Sequence, residues 1–570
     1  MTNAEIAAAL EELGVLYELD GAVRYRVLAY STAGKAIRES PVSVEELARA
    51  GRATEIPGVG KTLAEKIDAL LDTGEIPAAA KLKAKFPPTL VEVTRVPGVG
   101  PKTARLLWDE LQVASLEDLK KAAEDERIRD VKGLGPKAEE NVLASLSRLG
   151  EPGEGPGRLL LSTVRPIAEE LAEALREHSG AHRVEVAGSA RRWAETCKDI
   201  DLIATADEGK DLAQHLVDHP LIAAAGKPGA NGVRAQTHNG VSVDLRIVPP
   251  AEFGNLLQHF TGSKAHNVQL REDAVKRGLS VSEHGIADTE TDEVTLCETE
   301  HEVYERLGYD YIEPELREGR GELKAAREGK LPTLVELGDV RGDLHAHTTL
   351  SDGRNSLDEM ARAGRDRGYA YMAITDHSAT HGFGDDVQPD ALRRRIEEVR
   401  AWNEEHGSRR FRLLVGSEIN IGLDGSLDYP DDLVAALDWV IASVHTSFNV
   451  SEKDMTARVV AAIEDPGVDC IGHLTGRLIN RREPYGIDVE AVAEAAARTG
   501  TMIEINGNPD RHARLAADAG VRIVLNTDAH GVDTLDNMIY AVATARRAWL
   551  TKAEVANTRT WSEFKKLLRG

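Results

Sequence analysis

Through the first 150 residues, apolar side chains return every three or four positions, as in Ile6, Leu10 and Leu13, among frequent Ala, Leu and Glu. That is the period of an amphipathic helix, and it predicts a helical region punctuated by Gly-rich turns. A Gly/Pro/Glu stretch, Gly150–Gly157, reads as a linker. From 158 to about 250, helical patterns alternate with β-rich runs at Arg183–Val186, Ile200–Ala204 and Val241–Val248, which predicts a mixed α/β domain. A mostly helical and loop region extends to about 318, and a polar segment, Arg317–Gly338, leads onward. From Gly342, short β-rich runs (Met372–Ile374, Phe411–Val415, Trp439–Ser443, Met502–Ile505 and Arg522–Leu525) alternate with helical patterns. Such alternation implies parallel strands with helical crossovers, in the manner of a barrel.

At 570 residues the chain is too long for one core and should divide into about three to five domains. Its 29% charged and 42% hydrophobic content is that of a soluble globular protein. The apolar stretches fall far short of a membrane span, so the expected compartment is the cytoplasm. Cys197, Cys297 and Cys470 lie far apart and read as reduced thiols. A net charge of -25 argues at first against a nucleic-acid partner. The first 150 residues, however, hold 21 basic against 24 acidic side chains. The excess acid lies downstream, where metal sites would use carboxylates.

One pattern occurs three times: Ile56-Pro-Gly-Val-Gly60, Val96-Pro-Gly-Val-Gly100 and Lys132-Gly-Leu-Gly135, each before a helical segment. The pattern has the logic of a helix-hairpin-helix. Glycines permit positive φ and close backbone approach, and the amides at the next helix start can bind a DNA phosphate. Gly58, Gly60, Gly98, Gly100, Gly133 and Gly135 are the candidate DNA-contacting positions, with Lys61, Lys102 and Lys137 adding charge. The bland alternative is a helical turn with a Gly cap.

The middle region holds Gly188-Ser189, then Asp199-Ile-Asp201, and later Asp244 in a second strand-like run. Two Asp at i and i+2 share one face of a strand and repel unless a cation lies between them. With a third carboxylate from an adjacent strand they could hold two hard divalent ions, roughly 3.5–4 Å apart, for phosphoryl transfer. The Gly188-Ser189 turn and Arg192 could touch triphosphate oxygens.

Gly188–Asp201, Asp244 and Phe260-Thr-Gly-Ser263…Asn267…Arg271 resemble the palm and thumb of family X DNA polymerases, the polymerase beta family. The resemblance implies Asp199, Asp201 and Asp244 as ligands of two Mg or Mn ions. It implies Gly188, Ser189 and Arg192 as triphosphate contacts, Thr261, Gly262, Ser263 and Asn267 as contacts to an incoming dNTP, and Arg271 as a template contact. His259 stands where several members have Tyr, and Lys264 where some have Asp. Lys66 matches the nucleophilic Lys of the family's 5′-deoxyribose phosphate lyase, and Tyr30 a 5′-phosphate contact. Thr62 stands where a second phosphate-binding Lys is expected.

The C-terminal region holds His345-Ala-His347, Asp352, His377, Glu418, His445, His473 and Asp528-Ala-His530, nearly all at or after a strand-like run. In a barrel, strand C-termini converge on one mouth. Imidazole with carboxylate suits Zn, Mn or Fe. This ordered set resembles the PHP (polymerase and histidinol phosphatase) domain. The resemblance implies a distorted seven-stranded barrel, a cluster of up to three ions, and Glu418 as the bridging ligand. Arg477, Arg481 and Arg482 could grip DNA phosphate.

The two resemblances divide the chain into a lyase-like helical domain at 1–85, helix-hairpin-helix fingers at 86–150, a nucleotidyltransferase palm at 151–250, a thumb at 251–318, a linker at 319–338 and a PHP domain at 339–570. The fold expected is an all-α N-terminal region, an α/β palm and thumb, and a distorted (β/α)7 barrel. The function implied is a monomeric, nucleoid-associated repair polymerase on gapped or nicked DNA, with 3′-5′ exonuclease or 3′-end processing. The alternatives are a small-molecule phosphatase and a DNA-end-binding scaffold, each with a degenerate palm.

Overall fold

The computed structural model describes residues 1–87, 89–96, 98–148, 158–382, 386–506 and 513–568. The expected linker at 150–157 and Pro97 of the second hairpin lie outside them. The chain forms two compact units. The first comprises Met1–Leu159, Thr163–Val186 and Cys197–Pro250; the second comprises Leu160–Ser162, Ala187–Thr196 and Ala251–Gly570.

In the first unit, the helical period of the sequence becomes a stack of short helices over one core that runs from Ile6 to Val142. The opening helix, Asn3–Leu19, starts on a capping box in which Thr2 and Glu5 satisfy each other's backbone amides. Ile6, Leu10 and Leu13 are fully buried along one of its faces. Asn3, also buried, ties down the loop before the third helix by bonding Ser40 O at 3.1 Å, Val42 O at 2.8 Å and Val44 N at 2.9 Å.

The same unit carries a five-stranded sheet: β1 (Ala181–Val186), β2 (Asp199–Ala206), β3 (Ile222–Ala225), β4 (Gly232–Thr237) and β5 (Ser242–Ile247), in the order β1-β2-β5-β4-β3. Only β2 and β5 run parallel; the other pairs are antiparallel. β3 and β4 escape the hydrophobic pattern because Ala, Gly and Arg dilute them.

In the second unit, the region expected to be helix and loop also contains a small antiparallel sheet of β6 (Leu279–Ser282), β7 (Gly285–Asp288) and β8 (Val294–Thr295). Strands of two to four residues leave too short a period to read. The polar segment before the barrel is packed, not a free tether. It carries the helix Glu322–Arg327 and gives Leu323, Ala326 and Leu334 to the core around Tyr304 and Ile312. Its charges mislead because Arg317 and Glu322 are fully buried, each with a partner.

The C-terminal region is a seven-stranded parallel sheet in strict chain order: β9 (Gly342–Asp343), β10 (Tyr371–Ile374), β11 (Arg412–Asn420), β12 (Trp439–Ser443), β13 (Cys470–Ile471), β14 (Met502–Ile505) and β15 (Ile523–Leu525). It is nearly closed. His347 N–H donates to Ala529 O at 2.8 Å, and the Asn557 side chain bonds Gly342 O at 2.7 Å and Leu525 O at 2.6 Å across the seam. Alternate residues, among them Leu344, Tyr371, Ala373, Leu414, Trp439, Ile441, Cys470, Met502 and Val524, fill the interior with Phe564. The intervening ones, such as Met372, Leu413, Val440 and Ile503, pack under the surrounding helices. The barrel is thus a solid core, and function is confined to its mouth.

Candidate active sites

The three hairpins share one conformation. Gly58, Gly98 and Gly133 take φ of 80°, 89° and 94°, a region closed to most side chains. Gly60 and Gly100 are different. Each has ordinary extended backbone as N-cap of the helices Lys61–Thr73 and Pro101–Leu111, and a Cβ built on either meets nothing within 4 Å. The fold does not require glycine there, whereas a partner approaching the helix start would. Gly135, before the helix Pro136–Arg148, has the same open space. Lys61 and Lys102 begin the first turns. Lys66 lies half-buried on the first of these helices. Tyr30 is not at the surface. It is 4% exposed, packs on Tyr17 with ring centroids 5.3 Å apart, and burial pushes its hydroxyl up to about 12.

On the sheet of the first unit, Asp201 of β2 pairs in register with Asp244 of β5, and Asp199 with Ser242. The two-residue period puts all three carboxylates on one face. They are half-buried, while Ile200, Leu202, Val243 and Leu245 are buried on the other face. Asp244 accepts from Arg246 Nη2 at 2.9 Å, and its register partner on β4, Arg234, stands 3.6 Å away. Three neighbouring carboxylates, of which Asp244 draws in two guanidinium cations, form an all-oxygen donor set that would suit two hard divalent ions such as Mg or Mn.

In the second unit, Gly188–Arg191 forms a short helix, and Arg192 beyond it is held by Glu318 at 3.2 Å and bonds Thr261 O. Ser189 is half-exposed. Thr261, Gly262 and Ser263 form a buried turn. The Thr261 hydroxyl is taken by Arg191 at 2.6 Å, and the Ser263 hydroxyl caps the helix Lys264–Val275. The side chains expected to meet a nucleotide thus serve the turn itself. On that helix Asn267 donates to His259 O at 2.8 Å and accepts from Gln258, and Arg271 reaches His259 Nδ1 at 2.9 Å. Burial lowers the His259 pKa, opposed by the nearby Glu283 carboxylate and assisted by the Arg271 charge.

The barrel mouth gathers all nine expected ligands. Glu418 shares the inward parity of Leu414 and lies within β11, past the predicted strand end at Val415. Its carboxylate is 2.7 Å from His473, 2.9 Å from His377, 3.1 Å from His445, 3.3 Å from His345 and 3.7 Å from His347. Three sets have donor atoms within 4.8 Å of one another: His347, Asp352, His377 and His530; His345, His347 and Asp528; and His377, Glu418 and His445. Asp352, His377, Glu418, His445, His473, Asp528 and His530 line a pocket of about 220 Å³, and His345 and His347 lie outside its lining.

Burial opposes charge on each group, but mutual attraction wins at most of them. Glu504, Asp528 and Glu418 carry His345 well above its ordinary value, and neighbouring carboxylates push His473 and His530 up to about 9. His347, buried among other imidazoles, falls to about 4. Glu418, Asp352 and Asp528 are held well below the carboxylate range by the surrounding His rings. Carboxylates and imidazoles in overlapping sets, most of them buried, would suit a cluster of divalent ions.

The family profile described as DNA polymerase beta thumb matches residues 256–318. Two helix-hairpin-helix profiles match 1–76 and 90–148, and the PHP domain profile matches 343–508. A Bacillus subtilis protein named DNA polymerase/3'-5' exonuclease PolX is 36% identical over 577 aligned residues, covering 100% of both chains. The chain belongs to the family X DNA polymerases that carry a C-terminal PHP domain. DNA polymerase lambda of Rattus norvegicus is 27% identical over 348 residues, 55% of this chain and 56% of that protein. A protein of Thermoanaerobacter named as a probable phosphatase is 32% identical over 242 residues, 38% of this chain and 89% of its own length. The phosphatase likeness covers the minor part of this family X chain, so it does not favour the small-molecule phosphatase reading.

Sequence reasoning passed over the residues that hold the ligands. Glu504, fully enclosed in β14, accepts from His345 Nδ1 at 2.7 Å, from Asn526 at 2.8 Å and from the His473 amide at 2.9 Å, and so turns the other His345 nitrogen to the cluster. Its signal was an acid inside an apolar run, Met502-Ile-Glu-Ile505. Asp376, beside His377, accepts from Thr348 and Ser351. Asp343, pushed up to about 6 by burial, bonds Thr527. Of the loop arginines, Arg477 and Arg482 line the pocket, whereas Arg481 is exposed and outside the lining.

Proposed function

We propose that this chain fills short gaps in DNA by template-directed nucleotide addition and trims 3′ ends with its PHP domain. The observation that carries the first half is the register of Asp201 with Asp244 and the shared face of Asp199. Asp199, Asp201 and Asp244 hold the ions, Mg or Mn. Divalent ions there supply charge that acidifies the primer 3′-hydroxyl and stabilises the leaving pyrophosphate. Gly188, Ser189 and Arg192 take the triphosphate. Thr261, Gly262, Ser263 and Asn267 frame the incoming dNTP through the turn they build, and Arg271 with His259 forms the surface offered to the template. The hairpin glycines, with Lys102 beside them, hold the backbone of gapped or nicked DNA at helix starts, and the enzyme acts as a monomer.

For the second half, His345, His347, Asp352, His377, Glu418, His445, His473, Asp528 and His530 hold up to three Mn, Zn or Fe ions. Ions in that cluster supply Lewis-acid charge and a hydroxide source for phosphodiester cleavage. Glu504 orients His345. The domain limits follow the same assignment: lyase-like 1–85, fingers 86–150, palm 151–250, thumb 251–318, connecting segment 319–338 and PHP 339–570. Lys66 serves as the lyase nucleophile in this reading, and Tyr30, expected as a 5′-phosphate contact, is buried. No helix among the described residues is long and apolar enough to cross a membrane.

The test is a single gel. Gapped DNA, dNTPs and Mg or Mn should lengthen the primer; Mn without dNTPs should shorten it. A primer that changes length under neither condition would overturn both halves.

A further inference from the structure

The loop after His473 carries Arg477 into the lining of the PHP pocket, which Asp352, His377 and Glu418 also line. Arg477 is also gripped from a distant part of the sequence. Its Nη2 donates to Glu195 Oε2 at 2.7 Å and its Nη1 to Glu195 Oε1 at 3.1 Å, across 282 residues. The pair is mostly sheltered, with 19% and 22% of the side chains exposed. A planar guanidinium held by both oxygens of one carboxylate is fixed in position and in plane, which a single bond would not achieve.

Glu195 is itself held firmly. It follows Ala194, whose amide donates to Ser189 O at 3.0 Å, and Trp193, which meets Tyr540 edge-on at 6.1 Å. Arg547 donates to Arg192 O at 2.7 Å and to Glu318 at 2.8 Å. Tyr540 and Arg547 both sit on the helix Met538–Arg547 of the PHP region. The segment 192–195 is therefore docked on the barrel, and its carboxylate is presented to the barrel's own mouth.

We propose that Glu195, though it lies in the segment that carries the triphosphate turn, is a positioning residue for phosphodiester cleavage. It holds Arg477 as the cation that receives a DNA phosphate next to the metal cluster. This rests on the phosphoesterase reading of the PHP domain. It goes beyond that reading by making one carboxylate outside the PHP region a determinant of strand binding there. Arg482, which also lines the pocket, is held differently, by Gly476 O at 2.6 Å and against the Phe448 ring at 4.2 Å, and does not depend on Glu195.

The experiment measures 3′-end degradation of single-stranded DNA with Mn in the full-length protein, separating kcat from KM, for the parent and for Glu195→Ala, Glu195→Gln, Arg477→Ala, Arg477→Lys and the Glu195→Ala/Arg477→Ala double variant. Bound-metal content and thermal midpoint are recorded for each. The expected result is a rise in KM for DNA of about ten-fold in either alanine variant, with kcat within about three-fold and metal content unchanged. Glu195→Gln should fall between parent and alanine. Arg477→Lys should not recover the parent KM, because an ammonium cannot donate to both carboxylate oxygens in the planar fork of a guanidinium. The double variant should be no worse than either single one, since each removes the same device. An unchanged KM in Glu195→Ala while Arg477→Ala is impaired would overturn the proposal. So would an effect of Glu195→Ala confined to metal loss or unfolding. A parent protein that degrades no 3′ end in Mn would overturn the phosphoesterase reading and this role with it, an outcome distinct from variant behaviour.

Discussion

On the proposed assignment, the sheet of the first unit and the barrel mouth of the second would stabilise charge at phosphorus in opposite ways. The sheet offers three carboxylates on a half-open face, with guanidinium cations as the nearest charges. The barrel offers a buried set in which Glu418 touches five imidazoles and second partners hold the rings. An open, all-oxygen site can gain and lose Mg with each nucleotide, because Mg keeps several waters and needs no dedicated cage. A closed imidazole site retains its ions and selects softer ones. On that assignment, burial and donor type, as much as ligand count, would set how readily each site exchanges its ions.

The sharpest way to break this comparison is to disable one site and watch the other. Glu418→Ala should lower 3′-end degradation at least about a hundred-fold and strip bound metal, while Asp244→Ala should lower nucleotide addition by a similar factor and leave degradation intact. Loss of both activities in either variant would show the two sites to be one system. Next in size is Glu504→Gln. It keeps the shape of β14 but weakens the hold on His345, and should cost about 10- to 100-fold in metal affinity or degradation. Titration of the apo protein with Mn, followed by the residual rate, would measure it; parental affinity would remove Glu504 from the ligand-supporting set.

The pH dependence sharpens the contrast further. Ions at the barrel must displace protons from His473 and His530, both pushed up to about 9. Apparent Mn affinity there should therefore rise by at least about ten-fold from pH 6.5 to pH 9. Without metal the sign reverses for stability. Raised His pKa values contribute stability that is full below about 6.5 and is lost as pH rises through about 9, so chelated protein should melt earlier at pH 9 than at pH 6.5. Calorimetry of both forms across that range tests the pair of slopes, and parallel slopes would contradict the assignment. The smallest effect concerns the hairpins. Gly60→Ala and Gly100→Ala should leave the thermal midpoint nearly unchanged, since a Cβ meets nothing at either position. Together they should weaken gapped-DNA binding by a few-fold and lessen its salt dependence. Unaltered binding across a salt series would reduce the hairpins to plain turns.

Much of this protein was readable before any tertiary structure. Residue type and spacing alone marked the three hairpins, the Asp199–Asp201 pair and the nine His, Asp and Glu side chains of the barrel mouth, because positive-φ glycines, i and i+2 carboxylates and strand-end histidines are local features with local causes. The same locality explains what stayed hidden. β6, β7 and β8 are too short to show a period, and β4 alternates Arg and Gln with small residues. Arg317 and Glu322 read as surface charge until their partners appear. A lone acid in a strand does not announce that it will meet His345 across 159 residues, as Glu504 does. The sequence by itself determined which chemical groups this protein owns and which way each element turns them. Only the tertiary structure decided which groups meet, that Tyr30 is buried, that Thr261 is spent on Arg191 and that Glu195 holds Arg477. Such pairings depend on chain closure between distant segments, and no local period records them.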